Sequence, residues 1–320
     1  MKERQVRCSR RRHIASALAG LLFALPFLAV FASGCGTTPA NIDSASSTAQ
    51  RSRLQGLCFS PFVNESPSSP VPITHARIES LIDEIAPYTH GIRTFSSSGL
   101  GGDIARTAKS KGLFVAAGCD LETDPVRNET EVSNLVQLAR EGVVDLAVVG
   151  EEALYFNFAT ESQLVGYIDR VSSAGVKVTT SDTWGELIGH PRVIAACDVV
   201  MANMFPYWED REIIGSVAYL DSCYRKTRAA AGSKEVIVET GWPFAGETHG
   251  KAAATPENAK WFLERFTDWA KIGNVRYFYF EAFDEPWKAS HEGQVGAHWG
   301  LWDQSGRLKG GMSEIIGTAP

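Results

Sequence analysis

Short, almost wholly apolar runs recur about once every 30 residues through the body of this chain, each followed by a stretch with helical periodicity. The runs are Leu54–Phe59, Gly91–Phe95, Leu113–Gly118, Val143–Val149, Val176–Ser181, Asp198–Asn203, Val236–Glu239 and Val275–Glu281. Amphipathic segments at Thr74–Ala86, Gly102–Lys111, Glu129–Glu141, Glu161–Ala174, Asp210–Ala230 and Thr255–Lys271 predict helices between them. Thr74 is a plausible N-cap, Ala174-Gly175 a C-terminal stop, and Thr255-Pro256-Glu257 a cap with proline in the first turn. Strands apolar on both faces must be covered on both faces, and parallel strands need long crossovers, which the helices supply. Eight such units predict an α/β fold of the (β/α)8 TIM-barrel type, in a single domain over residues 54–320. The alternative, an open doubly wound sheet, is expected to show a Gly-rich first turn, and none is visible.

A barrel of parallel strands brings all eight C-terminal strand ends to one face, so acids distant in sequence converge there. The stretch Lys234 to Pro243 delivers Glu239 at the end of an apolar run, and Gly241 and Pro243 then stop the strand. The run from Asp145 ends in Glu151 and Glu152, and the last ends in Glu281, with Glu285 and Lys288 following. A lone strand-end Glu is commonly a salt-bridge partner or helix cap. Two together suggest glycosidic chemistry, which needs one acid and one nucleophile or base. Arg93 ends the second strand and is read either as a group orienting an acid or as a structural ion pair. Asn203 ends the sixth and either bonds sugar or terminates the strand. Trp184, Tyr207, Trp208, Trp242, Trp287 and Trp299 fall beyond strand ends, where aromatic rings stack on sugars or pack loops. Trp242 and Trp299 are the preferred substrate contacts, whereas Trp261 and Trp269 share a helical period with Phe262 and Phe266 and read as core.

The first residues read as an address. Five arginines between Arg4 and Arg12 precede an uncharged apolar run from Ile14 to Phe31, and Ala32-Ser33-Gly34-Cys35 closes it with small residues. That ending resembles a bacterial lipobox, which implies a signal peptide over residues 1–34, lipidation of Cys35 and an exported protein anchored in the cell envelope; an uncleaved helical anchor is the alternative. Residues 35–53, rich in Ser, Thr, Ala and Asn, read as a flexible tether. Removing residues 1–34 leaves 25 Lys and Arg against 36 Asp and Glu, a formal charge of −11. Such a surface argues against nucleic acid and favours a neutral or cationic partner. Cys58 and Cys119 read as small buried residues, and a Cys197–Cys223 disulfide is possible. No metal spacing, phosphate loop or dinucleotide fingerprint occurs, so neither cofactor nor metal is predicted, and the body is read as a monomer.

At these residues the chain resembles glycoside hydrolase family 17. The matching segments run in order: Gly91-Ile92-Arg93-Thr94-Phe95-Ser96, Val149 to Leu154, Asn203 to Trp208, Glu239-Thr240-Gly241-Trp242-Pro243, Phe280 to Lys288, and Ala297 to Leu301. The resemblance implies a barrel acting on β-1,3-glucans, with Glu239 as nucleophile and Glu152 as acid/base. It implies Glu285 and Lys288 as a supporting charge network, beside which Glu151 and Arg93 are read as supporting groups and Asn203, Tyr207, Trp242, Trp299 and Glu281 as substrate contacts. A lysine near the acids is expected to keep the nucleophile ionised, while burial raises the acid/base. The chain departs from the family pattern where Glu151 replaces an Asn expected to bond the sugar near its 2-hydroxyl, and where Phe95 and Phe205 replace Tyr. The expected reaction is a retaining double displacement, with carboxyls roughly 5–5.5 Å apart rather than the wider spacing of inversion. Transglycosylation by the same residues, or a non-catalytic carbohydrate-binding barrel, are the alternatives.

Overall fold

The computed structural model describes residues 52–318. Eight parallel strands close on themselves in sequence order. They are β1 (Leu57–Cys58), β2 (Gly91–Arg93), β3 (Phe114–Cys119), β4 (Leu146–Glu151), β5 (Lys177–Thr183), β6 (Val200–Asn203), β7 (Val236–Thr240) and β8 (Tyr277–Tyr279). The main helices outside them are α1 (His75–Ile85), α2 (Gly101–Ser110), α3 (Pro125–Arg140), α4 (Glu161–Ser172), α5 (Trp184–Gly189), α6 (Pro191–Ala196), α7 (Ile213–Ala231) and α8 (Pro256–Gly273). The (β/α)8 expectation holds.

Local chemistry sets the element ends. Thr74 and Thr255 cap α1 and α8 by accepting from the amides of Arg77 and Asn258 at 3.2 Å. Thr160 and Gln163 form a capping box on α4. Strands β1, β2, β4, β6 and β8 are shorter than their apolar runs, with Leu54 joined to Thr89 only by an isolated parallel bridge, whereas β5 and β7 run past theirs to Thr183 and Thr240. The fifth and sixth strands are joined by two short helices, α5 and α6, that hydrophobic periodicity does not reveal; each is six residues long, less than two full turns.

Side chains alternate across each strand, which divides the interior into two cores. Ala147, Val149, Val200, Ala202, Val236 and Val238 face outward onto the helices. Ala116, Leu146, Val148, Met201, Ile237 and Phe278 form a smaller cluster filling the barrel. On β7 this alternation puts Glu239 on the same inward face as Ile237, one step nearer the C-terminal mouth. The nucleophile candidate thus sits on a packed apolar plug, each fully buried aliphatic side chain of which contributes roughly 1.5–3 kcal/mol. Cys58, Cys119, Cys197 and Cys223 are all buried free thiols, so the Cys197–Cys223 disulfide is not formed. Among the described residues no helix is long and apolar enough to cross a membrane; the expected signal peptide, Cys35 and most of the tether lie outside the described residues.

Candidate active site

Carboxylates gather at the C-terminal mouth around one guanidinium. Arg93, at the end of β2, is 1% exposed; its Nε lies 3.1 Å from Glu239 Oε2 and its Nη2 donates to Glu151 Oε2. The Phe95 ring covers the guanidinium, with the Arg93 Cζ 3.9 Å from its centroid, which gives the Phe at this position a packing task in place of a hydroxyl contact. Arg93 is thus ion-paired to two of the mouth carboxylates, which fits both of its readings.

Glu151 and Glu152 are consecutive, yet both reach the same partner. Asn203 Nδ2 donates to Glu151 Oε1 at 2.9 Å and to Glu152 Oε1 at 3.1 Å. A regular strand would send neighbouring side chains to opposite faces. Here β4 carries a register shift between Val148 and Glu151, Gly150 has φ +83° and Glu152 has φ +48°. The left-handed residues turn the chain so that both carboxylates enter the mouth; a β-carbon at position 150 is disfavoured by that φ and would lie 3.2 Å from the Ala153 side chain. The β5 end pins this turn. Ser181 O accepts from the Glu152 amide at 2.8 Å, and the buried Asp182 carboxylate accepts from the amides of Leu154 and Thr183, each at 2.8 Å. Ser181 Oγ donates to Asn203 Oδ1 at 2.7 Å, which fixes the amide with its NH2 toward the two acids. Asn203 is 3% exposed, with its amide engaged by Ser181 and the two carboxylates.

A second cluster lies beside β8. Lys288 Nζ bridges Glu281 Oε2 at 2.5 Å and Glu285 Oε2 at 2.6 Å, Ser60 Oγ donates to Glu285, and all three charged residues are at least nine-tenths buried. Glu281, expected at the substrate, is 1% exposed and held by this lysine. Among the described residues the cation ion-paired to Glu239 is Arg93, whereas Lys288 is paired to Glu281 and Glu285.

The electrostatics differ from expectation at Glu239. Burial pushes its carboxyl up to about 8; Arg93 pulls it down, Glu151 and Glu152 push it further up, and the Cys58 thiol lowers it slightly. The nucleophile candidate is therefore poised near neutrality and is not simply held ionised. Asp182 is also raised well above the usual carboxylate range, first by burial and then by Glu152. Burial opposes the charges of Arg93 and Lys288, but the paired carboxylates outweigh it and hold both cations more firmly protonated.

The aromatic expectations are revised by burial. Tyr207 and Trp242 are 0% exposed: the Tyr207 hydroxyl donates to Glu247 O at 2.6 Å and Trp242 Nε1 to Ala253 O at 3.0 Å. The first ties the loop after β6 to the loop after β7, the second folds the β7 loop on itself, and neither ring can stack on a sugar in this arrangement. Trp299 is 1% exposed beneath Phe205, Phe280 and Trp208, forming the layer under the cleft wall. Trp208, 37% exposed and edge-on to His249, is the accessible ring of the group.

Sequence reasoning missed two acids. Asp182 ends a strand as Glu151 and Glu239 do, so the strand-end rule would have found it. Glu131 lies mid-helix on α3, accepting from Ser96 Oγ at 2.6 Å and from Ser97 N at 2.9 Å, and so anchors the loop after β2; nothing in its local sequence marks it.

Residues 56–300 match the family described as BtgE/BtgC glycoside hydrolase domain. The chain belongs to this family. It is similar to the glucan 1,3-beta-glucosidase of Saccharomyces cerevisiae, 28% identical over 72% of this chain and 83% of that protein. It is also similar to the glucan 1,3-beta-glucosidase of Schizosaccharomyces pombe, 31% identical over 64% of this chain and 70% of that protein. Among solved structures it resembles the glycoside hydrolase family 17 beta-1,3-glucanosyltransferase of Rhizomucor miehei, with TM-score 0.72 and 28% identity over 81% of this chain and 96% of that one. An active-site mutant of that transferase is known in complex with laminaritriose. The barrel is a glycosidase of the family-17 type, acting on β-glucan by hydrolysis or transglycosylation.

Proposed function

We propose that the protein cleaves β-1,3-glucosidic bonds by double displacement with retention, Glu239 acting as nucleophile and Glu152 as acid/base. The observation that carries this reading is the shared frame: Arg93 holds Glu239, Asn203 holds Glu152, and Glu151 joins the two. In the first step a Glu239 oxygen bonds to the anomeric carbon as the glycosidic C–O bond breaks and the leaving oxygen takes the Glu152 proton. In the second, Glu152 takes a proton from water, which attacks the same carbon and releases the Glu239 carboxylate. A sugar hydroxyl in place of water gives transglycosylation. The named activity of the Rhizomucor miehei relative favours this second outcome, and product profiles at rising oligosaccharide concentration separate the two.

The test is turnover of defined β-1,3-oligosaccharides with the anomer followed by NMR. The β-anomer should form first, and Glu239→Ala should be inactive. Equal inactivity of wild type and Glu239→Ala on every β-glucan tried overturns catalysis and selects the carbohydrate-binding alternative.

Residues 1–34 are proposed as an export signal of lipoprotein type and 35–53 as the tether that holds the barrel domain, from residue 54, off the envelope, on the strength of the basic start, the apolar run and Cys35. Cys35→Ser should release the barrel from the membrane fraction of an expressing bacterium; retention of the variant there favours an uncleaved anchor.

A further inference from the structure

Two groups among the described residues hold the Glu239 side chain. Arg93 supplies charge: its Nε lies 3.1 Å from Glu239 Oε2, yet neither atom is in a hydrogen bond, so the pair is attracted without being aligned. A carboxyl group turns readily about its terminal torsion, and an ion pair alone does not fix its plane.

The second group is Cys58. It ends β1, is 0% exposed, and points inward with Met201, Ile237 and Phe278 of the apolar plug. Its backbone is in register with Arg93 on β2, and only β8 separates β1 from β7 in the closed sheet. Alternate strands of such a barrel send their inward side chains into shared layers. The layer shared by β1 and β7 brings the Cys58 thiol to the Glu239 carboxyl, and the two are hydrogen-bonded. An ionised carboxylate only accepts, so the thiol donates. The thiol also keeps its proton: burial and then Glu239 push it well above its ordinary value, Arg93 opposes them, and Glu151 and Glu281 add to the rise.

Resting on the glycosidase reading above, we propose that Cys58 is a positioning residue for the nucleophile, its thiol donating a directional hydrogen bond that holds the plane of the Glu239 carboxylate toward the cleft. The bond favours the charged form of Glu239, the form that attacks and the form released when the glycosyl ester breaks. The sulfur makes no covalent bond and keeps its proton throughout. The charged groups facing Glu239 are Arg93 from β2 and Glu151 and Glu152 from β4, and Glu281 faces the thiol from beyond β8. A change at position 58 leaves all of them in place.

The experiment follows kcat/KM on laminaritriose against pH for wild type, Cys58→Ala and Cys58→Ser. Cys58→Ala should move the acid limb alkaline by about half a unit to one unit, since a donor to the charged form is lost. Cys58→Ser keeps a donor in the same place and should return the limb to its wild-type position or below. A sulfur that only fills the plug would lower Tm in both variants and leave the limb where it is; that result overturns the proposal, as does an equal shift in both variants. A second arm needs no change at position 58. In infrared spectra of wild type, one cysteine S–H stretch should shift as pH crosses the titration of Glu239, and in Glu239→Gln it should stay still. S–H bands that ignore pH in wild type overturn the proposal. Failure of wild type to cleave any β-1,3-oligosaccharide overturns the glycosidase reading instead, and the infrared arm still decides the hydrogen bond.

Discussion

The Arg93 and Lys288 clusters have the same parts and different surroundings. Each is a buried cation bridging two carboxylates at the C-terminal mouth, one set on the ends of β2, β4 and β7, the other in the segment after β8. The Lys288 set is closed: Glu281 and Glu285 are both 1% exposed, and Ser60 seals Glu285. The Arg93 set is open on one side, since Glu151 and Glu152 are only partly buried and Asn203 ties them together. A closed triad rigidifies a loop. Burial raises a carboxyl in both, Glu281 in the closed set and Glu239, up to about 8, in the open one, so what distinguishes the open set is access from the cleft.

The sharpest way to break this contrast is to remove the proposed nucleophile. Glu239→Gln should cost about 10⁴-fold or more in kcat, whereas Glu281→Gln should retain most activity per folded molecule; comparable losses per folded molecule would put both clusters in the chemistry. Next is stability. Lys288→Met strands two buried carboxylates and should lower unfolding free energy by about 3–5 kcal/mol in denaturant titrations.

A third effect concerns pH. In the proposed mechanism Glu239 attacks only when ionised, so wild-type kcat/KM on neutral glucan should fall as pH drops through about 8. Arg93→Met removes the charge that pulls this carboxyl down and should move the limb alkaline, while Lys288→Met leaves it in place. Movement of the limb in both variants would mean that the clusters are one electrostatic unit. The same shift has a stability sign: the unfolded carboxyl ionises near its ordinary value while the folded one stays protonated, so Glu239 costs stability as pH rises from the ordinary carboxylate range through about 8. Glu239→Gln should therefore become more stable than wild type toward alkaline pH in thermal melts. Smallest is the rim: Trp208→Ala should raise KM a few-fold with little change in kcat, reporting a single exposed stacking ring.

Strand order, helix caps and the positions of Glu239, Glu151 and Glu152 were legible because they depend on neighbours within a few residues: apolar period, a capping Thr, an acid at the end of a run. Exposure was not legible for the aromatics. Tyr207 and Trp242 stand in loops by sequence and in the core by structure, because the loop after β6 bonds to the loop after β7 through Glu247, and the latter folds back on itself through Ala253. Nor was the partner of Glu239 legible. Lys288 and Arg93 are equally good cations on paper, and only closure of the barrel sets Arg93 against Glu239 and Lys288 against Glu281.

By itself the sequence determined the barrel, since eight two-sided apolar strands with helical crossovers leave a parallel sheet few other ways to bury itself, and it determined that acids would meet at one mouth. Tertiary structure alone decided which charges share a partner. The bulge at Gly150 and the left-handed Glu152 turn two consecutive carboxylates to the same side, against the alternation a strand imposes. Burial of Glu239 then decided its titration, because the cost of taking a charge out of water depends on everything packed around it and on nothing in its own five-residue strand.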